Sequence, residues 1–262
     1  MKRLRIAVLT QQDSFVIPEN IKLLGDMDAI DLVAVVKIDA AGSLTNNKFL
    51  FLRGFGVVQF AKMGLSVGCN SLLNFIDLLF SFKLGYLKSL KSVSVVCNSE
   101  YKVMRDPNDA SNIDWLSALN VDLIVSFSAP CVFRGRLLRL PKIGCINLHC
   151  SLLPHYAGLL PSFWALYDAS SEFGATVHEM DDKIDNGSIL GQVKVRKPLE
   201  PSMFNVIKDT KRAGGELMVT VVQKILDGSV EARPNNITAH DYFSWPTVEQ
   251  MKSFRKSGGR LI

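Results

Sequence analysis

Three short runs of branched apolar residues constrain the architecture first: Leu4–Leu9, Asp31–Ile38 and Asp122–Phe127. The second reads Asp-Leu-Val-Ala-Val-Val-Lys-Ile and lacks the polar alternation of a half-exposed strand, as expected of a strand covered on both faces. A helix predicted over Pro18–Leu24 lies between the first two runs, and strand, helix, strand at this spacing begins a parallel α/β sheet. With 262 residues, 48% of them hydrophobic, the chain can bury a substantial core as one large domain, or as one domain with a small appendage. Thr10-Gln-Gln-Asp-Ser-Phe15 follows the first strand and no glycine occurs before Gly25, so the glycine-rich dinucleotide fingerprint is absent.

Further along, Val93–Cys97 is predicted as a short strand, Asn108–Leu119 as a helix capped by Asn108 or Asp109, and a short basic helix runs to Leu140. Pro161–Ala169 reads as a helix with Pro in its first turn, and Ala175–Met180 and Ile189–Val195 as strands around the acidic loop Asp181–Gly187. Ser202–Leu226 is mostly one amphipathic helix, closed by Gly228. A turn-rich piece, Tyr242–Pro246, and a small helix near Val248–Lys256 complete the chain, with no internal repeat and no low-complexity linker. The expected organisation is a core over 1–228 carrying a helical insertion at about 42–92, followed by a short C-terminal extension over 229–262.

Residues 47–90 are unusually apolar, with Phe49-Leu-Phe-Leu52 followed by Leu72, Leu73, Phe75, Ile76, Leu78, Leu79, Phe80 and Phe82. Arg53, Lys62, Asp77 and Lys83 interrupt them, so no uncharged stretch reaches the roughly 18 residues that a spanning helix needs. Two helices packed on the sheet are one reading of this segment. The other is an amphipathic surface for a membrane, a lipid-linked substrate or a second subunit of a homodimer. Gly64, Gly68 and Gly85 are expected to break the helix into pieces, which favours the folded-over cover.

The net charge of +5 is mild, and Lys252, Arg255, Lys256 and Arg260, at helical spacing, read as a solvated face rather than a contact with nucleic acid or an anionic lipid. Five cysteines, odd in number and without a CxxC pair, point to reduced core thiols in a cytoplasmic protein. Met-Lys-Arg-Leu-Arg-Ile-Ala-Val goes directly into a strand-like run and has too short an apolar region for a secretory signal.

The most informative stretch is Gly144-Cys-Ile-Asn147-Leu-His149-Cys-Ser-Leu-Leu-Pro154-His-Tyr-Ala-Gly158-Leu-Leu-Pro161. Its first residues alternate as a strand, and the Pro and Gly that follow make an irregular loop. Asn147 and His149, two apart, project from the same face at the strand's C-terminal edge, where open α/β sheets place their ligand crevices. Asn-x-His-x-x-Leu-Leu-Pro, followed by the later Gly174-Ala-Thr-Val-His-Glu-Met-Asp-Asp-Lys-Ile-Asp185-Asn186-Gly187, resembles the formyltransferase superfamily that uses 10-formyltetrahydrofolate. The likeness is close over roughly Val121 to Val195 and looser elsewhere.

That resemblance implies a Rossmann-like, mostly parallel sheet with flanking helices, and 10-formyltetrahydrofolate as cosubstrate without a metal. It implies Asn147, His149 and Asp185 as catalytic residues. It also implies contacts to the folate from Cys131, Val132, Phe133, Leu152, Asp182, Lys183 and Ile184. The residue types suit acyl transfer to an amine. His149 can take a proton from the attacking nitrogen, Asn147 can donate to the developing oxyanion, and Asp185 can orient the imidazole.

Two other classes are open to the same residues. A metal-hydrolase cluster could draw on His149, His155, His178, Asp181, Asp182 and Asp185, but no tight ligand spacing is present, and His178 with its acidic neighbours reads as a solvated strand end. A non-catalytic folate-binding protein on the same fold would have no need of all three polar residues.

For the acceptor, the absent Gly-containing phosphate loop counts against glycinamide ribonucleotide, and too little chain follows the core for the RNA-binding domain of methionyl-tRNA formyltransferases. The remaining family members formylate chiefly amino sugars, usually nucleotide-linked, for bacterial surface glycans such as the O-antigen of lipopolysaccharide. Tyr156, Phe163 and Trp164 flank the acceptor side as residues for stacking or for core. A lipid-linked sugar, an amino acid derivative, tRNA and glycinamide ribonucleotide are the alternative acceptors.

Overall fold

A computed structural model describes residues 3–13, 15–39, 43–80, 82, 84–198 and 201–262. In chain order it contains β1 (Leu4–Thr10), α1 (Ile17–Gly25), β2 (Ile30–Ile38), α2 (Ser43–Phe55), α3 (Val57–Leu79), α4 (Leu90–Val96), β3 (Glu100–Met104), α5 (Ala110–Ala118) and β4 (Leu123–Phe127). These are followed by α6 (Gly135–Leu138), β5 (Gly144–His149), β6 (Ala157–Gly158), α7 (Pro161–Tyr167), β7 (Phe173–Glu179), β8 (Ile189–Val195), α8 (Met203–Leu226), β9 (Tyr242–Phe243) and α9 (Val248–Lys256). Seven strands form one sheet in the order β3, β2, β1, β4, β5, β7, β8. The first five run parallel, and β7 and β8 are antiparallel. This is the expected Rossmann-like α/β fold.

Both faces of the sheet are covered, which explains why β1, β2 and β4 carry almost no polar alternation. On one face Val8, Val35, Val125, Ile146 and Val177 pack with residues of α1, α4 and α8. On the other, Leu9, Val36, Ile124 and Cys145 pack with Ile113 and Leu116 of α5, Leu137 of α6, and Phe133. A third apolar cluster lies off the sheet. Phe55 of α2, Phe163 and Trp164 of α7, Met203 of α8, and Met251 and Phe254 of α9 meet there. Through it the C-terminal segment is woven into the molecule: α9 packs on α2, β9 pairs with β6, and Arg233 bridges to Ile189 of β8.

Three expectations need correction. Val93–Cys97 is not a strand but the body of α4, because the Ser89 side chain accepts from the Ser92 N–H while the Ser92 hydroxyl accepts from the Ser89 N–H. That capping box starts a helix whose buried Leu90 and Val93 face the core, and packing overrides the strand preference of the valines. The edge strand is instead Glu100–Met104, half-exposed and too polar to stand out in the sequence.

Gly64 and Gly68 do not break α3, which runs through both with open space where a side chain would be. The break falls at Gly56, whose φ of +83° separates α2 from α3. Nor do the two insertion helices cover the sheet: α2 packs on α9 and α3, while Val58, Leu65, Leu72, Phe75 and Leu79 of α3 lie exposed.

If the C-terminal helix is part of the core, Phe254→Ala should cost about 3 kcal/mol, since it empties a site between Phe55 and Phe163. Urea unfolding followed by circular dichroism checks this. A change of less than about 1 kcal/mol would show that α9 is a dispensable surface element.

Candidate functional site

Strand β5 is buried along its length and sits between β4 and the antiparallel β7. Asn147 lies opposite Ser126 of β4 and His178 of β7, and His149 lies opposite Thr176. In an antiparallel pair opposed residues share a face, so Asn147, His149 and His178 project together, on the side that also carries Cys145 and Phe133. The acidic loop after β7 then brings Asp185 back against the two histidines. Its residue adopts φ +51°, and Gly187, where a Cβ would stand 2.0 Å from the Glu179 carbonyl, lets the loop lie flat on β7.

The Asp185 carboxylate is 9% exposed and lies between two imidazoles. Oδ2 is 3.3 Å from His149 Nδ1 and Oδ1 is 3.6 Å from His178 Nε2. The Gly158 N–H donates to Oδ2 at 2.8 Å. Burial on its own would raise the pKa of this acid, but the His149 and His178 imidazoles beside it and the Gly158 N–H hold it at about 2. Asp185 is therefore ionised throughout the neutral range.

Each histidine is held at both nitrogens. His149 Nε2–H donates to the Tyr156 carbonyl at 2.9 Å, leaving Nδ1 to face Asp185. His178 Nδ1–H donates to the Glu179 carbonyl at 2.6 Å, and its Nε2 accepts from Asn147 Nδ2 at 3.2 Å. One N–H of the Asn147 amide is thus used inside the protein and the other is left for a ligand. Tyr156 reaches His149 through a backbone at φ +58°.

The sequence singled out Asn147, His149 and Asp185, and the fold brings all three together. Sequence reasoning missed three other groups at the site. His178 is not a solvated strand end: it is 2% exposed and binds both Asn147 and Asp185. Its signal was its place on a strand, three residues before the first Asp of the acidic loop, but only the β5–β7 register reveals the partner. The Tyr156 carbonyl carries no signal in a side-chain pattern. Asn235, from the C-terminal segment, donates to the Asp185 carbonyl at 2.8 Å and the Gly187 carbonyl at 3.2 Å, while its Oδ1 is buried without a hydrogen-bond partner.

The residues expected to meet a folate divide. Cys131 and Val132 are half-buried at the end of the β4 connection, and Ile184 presents an exposed apolar side chain from the acidic loop. Asp182 and Lys183 are exposed beside it. Phe133 is fully buried with Leu9, Ile124 and Leu137, so it supports this region from beneath rather than touching a ligand. Leu152 packs toward Gly174 and lines a cavity of about 230 Å³ between the Ser151–Tyr156 turn and β7.

Phe163 and Trp164 are core residues, the indole N–H donating to the Ser244 carbonyl, and only Tyr156 of the three aromatics is partly open. His155 is exposed and faces Asp241 at 3.5 Å, away from His149. No group of three His, Cys, Asp or Glu residues among those described is placed to hold a metal ion.

Burial raises the thiol of Cys131 to about 11, with Asp106 adding and Arg134 opposing, and that of Cys145 to about 12. Neither is a nucleophile at neutral pH. Beyond β1, Asp13 accepts from the Phe15 and Val16 N–H groups and from Lys211 Nζ at 2.5 Å. Burial would raise the pKa of Asp13, but the Lys211 charge and these hydrogen bonds lower it overall. A carboxylate thus already fills the entrance to α1, where a phosphate would otherwise be received.

Residues 82–222 match the Formyl transferase family, and the chain belongs to that family. It is 30% identical over 128 residues to a methionyl-tRNA formyltransferase from Agathobacter rectalis, covering 49% of this chain and 41% of that one. The chain spans less than half the length of the curated relatives it matches first. Among solved structures, glycinamide ribonucleotide transformylase 1 from Symbiobacterium toebii superposes with a TM-score of 0.61 at 17% identity, over 89% of this chain and 95% of that one. The N-formyltransferase from Helicobacter canadensis, in complex with folinic acid and dTDP-3-aminofucose, superposes with a TM-score of 0.58 at 17% identity, over 97% and 80%. At these identities the likeness is one of fold.

The depressed Asp185 pKa fixes the sign of a stability effect. Stabilisation from this group is fully present above the ordinary value of 3.8 and is lost as pH falls through about 2. Unfolding free energies measured between those limits should fall by about 2 kcal/mol in the native chain, and Asp185→Asn should flatten that slope. An unchanged slope in the variant would place the acid sensitivity elsewhere.

Proposed function

We propose that this chain transfers the formyl group of 10-formyltetrahydrofolate to the amine of an amino sugar, nucleotide-linked, for a bacterial surface glycan. The observation that carries the reaction is the buried Asn147–His149–Asp185 constellation, an amide donor and an imidazole on one strand face with an ionised carboxylate behind them. In this reading the amine nitrogen bonds to the formyl carbon and negative charge builds on the formyl oxygen. The bond from that carbon to N10 of the folate then breaks, while a proton passes from the amine to N10.

The free N–H of Asn147 and the Nε2–H of His149, drawn from the Tyr156 carbonyl, are the donors for the oxyanion, each contributing roughly 3 kcal/mol. Asp185 faces Nδ1 of His149 at 3.3 Å and orients the imidazole. His178 is a positioning residue: its Nε2 holds the Asn147 amide at one orientation. With the thiols neutral, transfer is direct, without an acyl-enzyme.

Two observations support the acceptor. Asp13 and Lys211 neutralise each other at the entrance to α1, which disfavours a ribonucleotide phosphate there. The Helicobacter canadensis protein of the same fold was solved with folinic acid and a dTDP-linked amino sugar.

Asn147→Ala, His149→Ala and Asp185→Ala should each lower turnover at least about a hundredfold. His178→Leu should lower kcat roughly tenfold with little change in KM for the folate, and His178→Gln, whose amide oxygen can accept the same N–H, should recover part of it. The assay pairs 10-formyltetrahydrofolate with nucleotide-linked amino sugars, free amino sugars, glycinamide ribonucleotide and methionyl-tRNA, reading product mass. A gain of one CO on a nucleotide-linked amino sugar alone supports the proposal. Transfer only to glycinamide ribonucleotide or methionyl-tRNA would overturn the acceptor, and full activity in His149→Ala would overturn the mechanism.

A further inference from the structure

Helix α3 presents to solvent a surface that a water-soluble core has no use for. Val58, Leu65, Leu72, Phe75 and Leu79, each more than half exposed, recur along about 35 Å of helix. Val67 and Leu78 flank them, so the exposed apolar arc is broader than the narrow stripe of a paired helix.

The sequence of the segment that carries this arc is charged almost wholly in one sign. Residues 43–92 contain Lys48, Arg53, Lys62, Lys83, Lys88 and Lys91 against a single acid, Asp77. Asp77 is fully buried and accepts from the Leu84 N–H, so it adds no negative charge to the outer face. Lys88 is paired with Glu19.

At the joint between α2 and α3, Gly56 lies against Arg255 of α9, the helix that also exposes Lys252 and Lys256, with Glu249 its one acid. Trp245, in edge contact with Phe51 of α2, and Tyr242 add partly exposed aromatics of the kind that settle at a headgroup layer. No helix among the described residues is long and apolar enough to cross a membrane.

We infer that the outer face of α3, with the basic residues of α9, docks this chain on the surface of an anionic lipid bilayer, the helix lying in the interface. Charge complementarity selects this occupant: an uncharged apolar arc on a cation-rich segment whose one acid is buried, joined at Gly56 to the basic helix α9, matches anionic headgroups over acyl chains. Because Phe55 and Phe51 share one apolar cluster with Phe163, Trp164 and Tyr156, docking would bring the loop that holds His149 close to the headgroups. The inference stands apart from the identity of the formyl acceptor.

The full chain is sedimented with vesicles of phosphatidylcholine alone and of phosphatidylcholine with phosphatidylglycerol. Binding to the anionic vesicles should be at least about tenfold stronger and should weaken as salt is raised. The triple variant Leu65→Glu, Leu72→Glu, Phe75→Glu should lose it with helix content unchanged by circular dichroism. Lys252→Glu with Lys256→Glu, which leaves α3 intact, should weaken it at least about threefold. Failure of the native chain to sediment with either vesicle, or equal binding to both, would overturn the inference. So would a self-association that the triple variant abolishes while vesicles leave the native chain in solution, since the face would then serve a second copy.

Discussion

The Asp185 carboxylate is the charge on which the rest of the site depends. Burial would raise its pKa, and His149, His178 and the Gly158 N–H, converging on its two oxygens, hold it at about 2 instead. Each of these partners comes from a different part of the chain: β5, β7 and the loop before α7. Asn235, from beyond α8, fixes the backbone of the same residue. An anion that needs four separate segments to be tolerated holds those segments in one arrangement as much as it prepares a reaction.

That arrangement distributes roles between two histidines that look alike in the sequence. His149 donates its Nε2–H to the Tyr156 carbonyl and turns Nδ1 to Asp185, whereas His178 is held by the Glu179 carbonyl in the tautomer that accepts from Asn147. One imidazole is tied to the loop after β5 and the other sets the direction of an amide. The difference comes from backbone carbonyls, which bind whichever ring nitrogen faces them.

Outside the sheet, the insertion and the C-terminal segment explain each other. Phe55 of α2 and Phe254 of α9 pack on one another and on the α7 and α8 residues of the same cluster, so each element helps to bury the other. Helix α3 joins this cluster through Met63 and packs on α2, while Val58, Leu65, Leu72, Phe75 and Leu79 remain on the outside. The third cluster thus ties the loop carrying Tyr156, and with it the His149 contact, to a part of the molecule far along the chain.

What was legible in the sequence was local. The buried strands showed themselves by unbroken apolar runs, α9 by its caps and spacing, and Asn147 with His149 by a two-residue step on one strand. Asp185 stood out only because a turn sequence recurs after it at the separation the family keeps. The strand assignment at Val93–Cys97 failed because two serines close a capping box that outweighs three valines.

By itself, then, the sequence determined the α/β layering, the family and the three polar residues of the site, since period, turn chemistry and motif spacing are properties of neighbouring residues. Only the tertiary structure decided that His178 faces Asn147, that Asn235 clamps the acidic loop, that Phe163 and Trp164 are core, and that α3 turns its apolar side outward. Each of these depends on strand register or on packing between segments far apart in the chain, and no local pattern records which distant surface a side chain will meet.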